Sequence, residues 1–297
     1  MDFNNYLAEK KQVVEERLQY LFSEISLDIP DKLSEAMRYS LFAGGKRLRP
    51  ILVYAAAEAF GGNLEDALTV GAAIEFIHTY SLIHDDLPAM DDDDYRRGKP
   101  TNHKVFGDAY AVLSGDALLT EAFNILTQKR FFVSVELNVQ LDIVNYIAKA
   151  SGASGMVAGQ VYDMLSENVE VDSLLLQKIH INKTAKLLTA SLYSGVRLAT
   201  SDISSLNAIE KFGKTMGLCF QIVDDILDVT GDFKYLGKSP GSDEKKRKAT
   251  YPLLYGIEKS KLMAEQLMRE SIGYIEFLKE RGSVLKSLAK FIIARVY

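Results

Sequence analysis

The chain has a single cysteine, Cys219, so an intramolecular disulfide is excluded. One cysteine within an apolar run reads as a small buried hydrophobe of a reducing compartment. Prolines are few, six in 297 residues, and most stand between apolar-periodic runs rather than inside them. Sustained period-two alternation is missing, and so are Asn-Gly and Asp-Gly hairpin turns, which excludes a sheet-dominated fold. No apolar stretch is long and unbroken enough to span a bilayer. A cationic start followed by an apolar segment and a cleavage site is also missing; the opening M-D-F-N-N-Y-L-A-E-K carries acids instead. The expectation is a cytoplasmic protein without membrane insertion. Positive charge is not in excess either: the formal net charge is −5, so general attraction to nucleic acid is not expected. Any anion must be gripped by a local basic cluster.

What is present is helical periodicity over an ordinary globular composition, 47% hydrophobic and 25% charged, with ample material for a core. Leu18, Leu21, Phe22 and Ile25 repeat at three and four residues, as do Leu33, Met37 and Leu41. The runs 51–60, 64–85, 109–127, 134–150, 171–199, 204–230 and 251–270 behave alike. Breaks fall at Gly44-Gly45, Gly61-Gly62-Asn63, Leu87-Pro88, Arg97-Gly98-Lys99-Pro100 and the polar segment from Gly231 to Thr250, which reads as a loop. None resembles a domain linker. The spacing predicts one all-α domain over 1–297, thick enough to bury some helices on most sides. The run G-A-A-I-E-F-I-H-T-Y-S-L-I-H, apolar nearly all round, suits such a helix.

Residues 84–98 read H-D-D-L-P-A-M-D-D-D-D-Y-R-R-G, with six aspartates between Asp85 and Asp94. Asp85 and Asp86 fall at the last turn of a predicted helix, where acids oppose the macrodipole. Taken alone, the run is a solvated acidic loop. A second cluster changes that reading. In Q-I-V-D-D-I-L-D, residues 221–228, Asp224 and Asp228 share a helical face, with Asp225 flanking and Gln221 one turn before. The surroundings are apolar, and acids buried there need a partner. Two carboxylate clusters on apolar helices suggest oxygen-ligand sites for a hard divalent cation. Calcium is the alternative, but the glycine-punctuated loop of an EF-hand is missing. Magnesium takes one or two carboxylates and completes its shell with water and phosphate.

Basic residues occur where that reading needs them: Lys46, Arg47 and Arg49 in G-G-K-R-L-R-P, then Arg96 and Arg97, Lys183 beside Thr184, and Lys238 and Lys248. Each alone is ordinary surface charge. Arginine forks match phosphate oxygens in pairs, and lysine acts as a point charge. One metal-built site and one built from bare cations is what two diphosphate substrates require.

D-D-L-P-A-M-D with R-R-G, D-D-I-L-D, G-G-K-R-L-R-P and K-T together resemble the trans-prenyltransferases, the chain-elongating isoprenyl diphosphate synthases. The likeness runs from about residue 35 to 255, with the two aspartate motifs about 140 residues apart. The insert between Asp85-Asp86 and Asp91 is similar to bacterial farnesyl diphosphate synthases and to plant-type geranylgeranyl synthases. The resemblance implies a helical bundle of the isoprenoid synthase type around a central cavity, and a homodimer. It implies that Asp85 and Asp91 hold two Mg²⁺ ions with Asp86 and Asp92 in support. Asp224 would hold a third, with Asp225 and Asp228 nearby; Mn²⁺ could replace Mg²⁺. Arg96, Lys183 and Lys238 would assist the allylic diphosphate, with Lys248 in the same loop. Lys46, Arg49, His78 and Arg97 would bind isopentenyl diphosphate without metal. Two departures stand out: Arg247 precedes Lys248 where the family commonly has glycine, and Ala185 follows Lys183-Thr184 in place of a frequent glycine.

The implied chemistry is metal-assisted ionisation of the allylic diphosphate, attack by isopentenyl diphosphate, and proton loss to the departing diphosphate. The Thr184 hydroxyl, the Gln221 amide and nearby carbonyls would steady the cation. This accounts for the lack of a nucleophile motif. The two acid-bearing helices are expected to share one hollow. Tyr80 and Ser81 lie about 6–7.5 Å below Asp85 at helical rise, where bulk in the resembled family goes with a C15 product. Farnesyl diphosphate is therefore expected, with geranylgeranyl diphosphate as the alternative. A class I terpene cyclase would not need the second basic cluster, and a non-catalytic subunit would lack one acid run.

Overall fold

The computed structural model describes residues 3–166, 171–230 and 249–294. These residues are all-α apart from one two-residue ladder. The chain divides into two compact units, Met1–Tyr54 with Asn63–Val144, and Ala55–Gly62 with Asn145–Tyr297.

In the first unit, helix α1 spans Phe3–Ile25, α2 Asp31–Leu41, α3 begins the stretch Leu48–Phe60, and α4 spans Leu64–Asp85. Helix α4 starts where Asn63 accepts a hydrogen bond from Asp66 N at 3.0 Å, a side-chain N-cap. Asp66 itself is buried and accepts from Val133 N at 2.6 Å and Ser134 N at 3.2 Å, so its charge meets donors rather than hydrocarbon. The apolar face predicted to run all round this helix is there: Leu68, Val70, Ala72, Ala73, Ile74, Phe76, Ile77 and Ile83 are all buried. Helices α1, α2 and α6 (Asp108–Thr127) enclose it. Gly71 allows the approach of α3, because a Cβ there would sit 2.9 Å from Pro50 Cα. Between α4 and α6 lie strands β1 (Tyr95–Arg96) and β2 (Lys99–Pro100), antiparallel, then the short α5 (Asn102–Phe106). Arg97 and Gly98 join the strands with φ of 54° and 76°, the left-handed pair that a tight two-residue hairpin turn demands.

Helix α7 spans Leu137–Ser151. The second unit holds α8 (Met156–Leu165), α9 (Ser173–His180), a π-helical turn Ile181–Ala185, α10 (Lys186–Arg197) and α11 (Ile203–Thr230). After residue 248 come α12 (Tyr251–Tyr255), α13 (Ile257–Tyr274) and α14 (Ser283–Ile293). Helix α11 is its core, packed by α10, α13, α14 and the π turn. Cys219 is buried there, its thiol pushed up to about 12 by burial and placed 3.3 Å from Ala264 O. Helices α8 and α14 lie outside the runs that periodicity picked out, and the single run 171–199 is interrupted by the π turn. Among the described residues, no helix is long and apolar enough to cross a membrane.

Candidate active site

Local chemistry sorts the six aspartates of the first run. Helix α4 ends at Asp85, and the chain then turns back on itself: Leu87 N bonds His84 O at 3.2 Å, and Asp91 N bonds Asp85 O at 2.8 Å. The Leu-Pro-Ala-Met insert thereby returns Asp91 to the helix end that carries Asp85. Asp92 follows with φ of 50°, a conformation aspartate tolerates better than most residues. Asp86 is buried and faces Arg96, whose Nε lies 2.7 and 2.9 Å from its two oxygens, with Nη2 at 2.6 Å. Burial pushes the Asp86 carboxyl above its ordinary range, with Arg96 pulling the other way. The same Arg96 reaches Asp93 at 3.8 Å, and Asp94 pairs with Lys104 at the surface at 2.7 Å. Thr101 pins the exit of the run, donating from Oγ1 to Asp93 O at 2.8 Å and from N to Asp94 O at 2.9 Å.

The basic residues of 44–50 divide sharply. Arg47 is 2% exposed and belongs to the core. Its guanidinium donates to Glu15 at 2.7 and 3.2 Å, to Glu75 Oε1 at 2.9 Å and to Leu41 O at 2.7 Å. That web holds the residue at φ of 51°, a strained value for a long side chain. Lys46 is exposed and Arg49 half-buried. Arg97 lies against the glycine turn: it donates to Gly44 O, and a Cβ on Gly45 would fall 2.7 Å from its Cζ. His78 keeps some exposure on α4. Desolvation, then the charges of Arg49, Arg97, Arg96 and Arg47, hold its imidazole well below the ordinary histidine range. The imidazole is thus neutral, in a field of guanidinium charge that an anion would relieve. His78 and Asp85 are seven residues apart on one helix, so two turns and about 10 Å separate the basic group from the acid pair. Tyr80 and Ser81 lie between. Tyr80 is buried, its ring edge-on to His84 at 5.7 Å, and burial with the charge of Asp85 pushes its hydroxyl up to about 12. Ser81 Oγ donates to His78 O at 2.9 Å.

In the second unit, Lys183 and Thr184 fall inside the π turn. Such a turn breaks the i→i−4 ladder and commonly marks functional positions. Two glycines make room for it. A Cβ on Gly159 of α8 would lie 2.1 Å from Lys183 N, and one on Gly217 of α11 would lie 2.6 Å from Ala185 Cβ. Ala185 in place of glycine is therefore accommodated by Gly217 opposite. Thr184 is buried, and Lys183 Nζ lies 2.6 Å from Asp163 Oδ2. On α11, Gln221 and Asp224 are half-buried while Asp225 and Asp228 are buried. Asp225 accepts from the Tyr251 backbone N at 2.9 Å and lies 3.1 Å from His180 Nε2. Lys238, Arg247 and Lys248 lie outside the described residues.

Among the described residues no three His, Cys, Asp or Glu side chains are gathered into a ready-made metal cage. The donor set nonetheless suits magnesium. It is all oxygen, the Asp91–Asp85 backbone bond joins two carboxylate-bearing residues at one helix end, and magnesium leaves most of its shell to water and phosphate. Sequence reasoning missed Glu15, Glu75, Thr101, His180 and Tyr251 as parts of these frames. Glu75 alone carried a signal, a lone acid in an apolar helix that has to have a cation beside it.

A family profile described as Polyprenyl synthetase matches residues 30–288. A farnesyl diphosphate synthase of Bacillus subtilis (strain 168) is 46% identical over 293 residues, 98% of this chain and 97% of the relative. A chloroplastic geranylgeranyl pyrophosphate synthase of Catharanthus roseus is 46% identical over 296 residues, 99% of this chain and 82% of the relative. Among solved structures, an apo FPP/GFPP synthase from Zymomonas mobilis superposes with a TM-score of 0.86 at 38% identity, covering 97% of this chain and 99% of that one.

Proposed function

Because the chain belongs to the polyprenyl synthetase family, we propose that it joins isopentenyl diphosphate to dimethylallyl and then geranyl diphosphate, releasing farnesyl diphosphate. The observation that carries this reading is on α4: a neutral His78 among arginines, and two turns on, the Asp85–Asp91 pair. One helix thus presents a metal-free anion site and an acid site at a fixed spacing. A terpene cyclase has one diphosphate to bind and no use for the first of them.

The residues take the following roles. Lys46, Arg49, Arg97 and the neutral ring of His78 hold the diphosphate of isopentenyl diphosphate by charge and hydrogen bonding. Asp85 and Asp91 would hold magnesium with Asp86 and Asp92 in support, Asp86 also keeping Arg96 in place, and Asp224 would hold a further ion with Asp225 and Asp228 nearby. When bound, magnesium supplies Lewis acidity toward the allylic diphosphate and favours its departure. Arg96, Lys183 and Lys238 neutralise the leaving group, with Lys248 beside them in sequence. The Thr184 hydroxyl, the Gln221 amide and carbonyls of the π turn steady the allylic cation. The departing diphosphate takes the proton. The family match over residues 30–288 reaches into both units, in keeping with one catalytic domain over 1–297; a homodimer in the cytoplasm completes the reading.

Tyr80 supports the C15 product, since a buried ring one turn before Asp85 limits the length of tail. The C20 product is the second reading, favoured by the 46% identity to a geranylgeranyl pyrophosphate synthase. Labelled isopentenyl diphosphate with dimethylallyl diphosphate, with and without Mg²⁺, tests both. A linear C15 alcohol after dephosphorylation, formed only with Mg²⁺, is the expected chromatogram. A C20 alcohol selects the second reading, and a cyclised hydrocarbon or no product overturns elongation.

A further inference from the structure

Asp225 sits between two residues that bear diphosphate-site chemistry, Asp224 beside it and Asp228 one turn on, yet its own carboxylate is turned elsewhere. One oxygen, Oδ2, accepts from the Tyr251 backbone N at 2.9 Å and meets His180 Nε2 at 3.1 Å. The His180 and Tyr251 rings stack on each other, 5.6 Å between centroids and 18° from parallel. His180, Asp225 and Tyr251 are 6%, 5% and 3% exposed, so this is a closed internal contact rather than a surface pair. Thr250 caps the short helix that Tyr251 begins, its side chain accepting from Leu253 N.

We propose that Asp225 is a positioning residue, a clasp through which one carboxylate oxygen sets the geometry of two catalytic segments. The reasoning is rotational. Successive helical residues turn by about 100°, so an Asp225 fixed toward His180 and Tyr251 places Asp228 about 60° and Asp224 about 100° to the same side of it, within about 40° of each other. Locking Asp225 locks the azimuth of α11, and with it the acids that bind metal. The other end of the clasp acts along the chain. His180 is the last residue of α9, and the π turn with Lys183 and Thr184 starts immediately after it. A π turn closes i→i+5 hydrogen bonds off the α-helical register, so a tether at the residue just before it helps to fix where the Lys183 and Thr184 backbone lies. The same oxygen orients Tyr251, the residue that opens α12. Oδ2 cannot turn to a cation without stripping a buried N–H of its acceptor, so the two donors fix the orientation of the whole carboxylate.

The test uses the full-length protein and begins without metal or substrate. Hydrogen exchange is followed at the Tyr251 amide in wild type, Asp225→Ala, Asp225→Asn and Asp224→Ala. Asn offers one carbonyl oxygen that can serve both donors, so Asp225→Asn should keep protection within about threefold of wild type. Asp225→Ala should lose roughly tenfold or more, and Asp224→Ala should lose none. His180→Leu should behave as Asp225→Ala does, and His180→Gln, which restores a donor, should recover part of the protection. In the loaded enzyme, the Mg²⁺ concentration for half-maximal rate should stay within about threefold for Asp225→Asn and rise at least tenfold for Asp224→Asn, the pattern expected of support against ligation. Unchanged Tyr251 protection in Asp225→Ala overturns the clasp. So does an Mg²⁺ requirement in Asp225→Asn that rises as far as in Asp224→Asn. The magnesium arm rests on the proposed prenyl-transfer reading, whereas the exchange arm does not. A wild type that fails to elongate sinks that reading and leaves the clasp to the exchange result.

Discussion

Arg47 and Arg49 stand two residues apart and do opposite work. The first spends its guanidinium on Glu15, Glu75 and Leu41 O inside the core; the second belongs to the cationic group around His78. Arg47→Met leaves Glu75 buried without its cation, and breaking a buried pair from one side costs about 3 kcal/mol or more. A drop of that order in urea-unfolding free energy is expected. Arg49→Ala should leave the unfolding midpoint nearly in place and raise the KM for isopentenyl diphosphate at least tenfold; the reverse assignment of the two effects would refute this division. His78 adds a pH signature. Its folded pKa lies below the unfolded value, so the unfolded chain binds the extra proton first, and stability is lost as pH falls through about 6.5. Between pH 7.5 and 5.5 the wild type should lose stability that His78→Asn does not lose, measured by urea titration at both pH values.

Helices α4 and α11 each end a long apolar run on acids, and that much is legible from spacing alone. The all-round burial of α4 follows from its composition, as does the grouping of Asp224 with Asp228. The π turn is not legible, because no residue in Ile181–Ala185 demands it; it exists where Gly159 and Gly217 let neighbouring backbones close on it. Helix α8 was missed for a related reason. Glycines 152, 155 and 159 weaken local helix preference, and at least Gly159 is there for tertiary approach rather than for flexibility. Gly159→Ala should therefore push Lys183 off its place, lowering kcat tenfold or more and the melting temperature by several degrees. Gly273→Ala in α13 is the contrast, with nothing within 4 Å of its new methyl. It should gain up to about 1 kcal/mol from helix preference alone, with kcat unaltered. Equal effects of the two substitutions would mean that close packing at the π turn is not what matters.

At the scale of the whole chain, what holds the fold and what runs the chemistry are separate, and this gives a thermal test. The described cores are apolar, and their buried charges are met from within: Arg47 by Glu15 and Glu75, Asp66 by backbone amides, Asp225 by Tyr251 N and His180. The acids proposed to bind magnesium, Asp85, Asp91 and Asp224, are instead half-buried where water and phosphate can complete a coordination shell. Chelation by EDTA should thus abolish turnover while moving the melting temperature by no more than about 2 °C, a change of about 1 kcal/mol for a chain of this size. Mg²⁺ alone should do little. Mg²⁺ with an unreactive allylic diphosphate analogue at a hundred times its Kd should add about 2.7 kcal/mol, seen as a rise of roughly 4–5 °C. The analogue without Mg²⁺ should give less than half that rise, since only the metal-free cations would be engaged. A fold that melts on chelation would mean that the acid runs are structural cation sites, and a full shift without Mg²⁺ would mean that basic residues alone grip the allylic diphosphate.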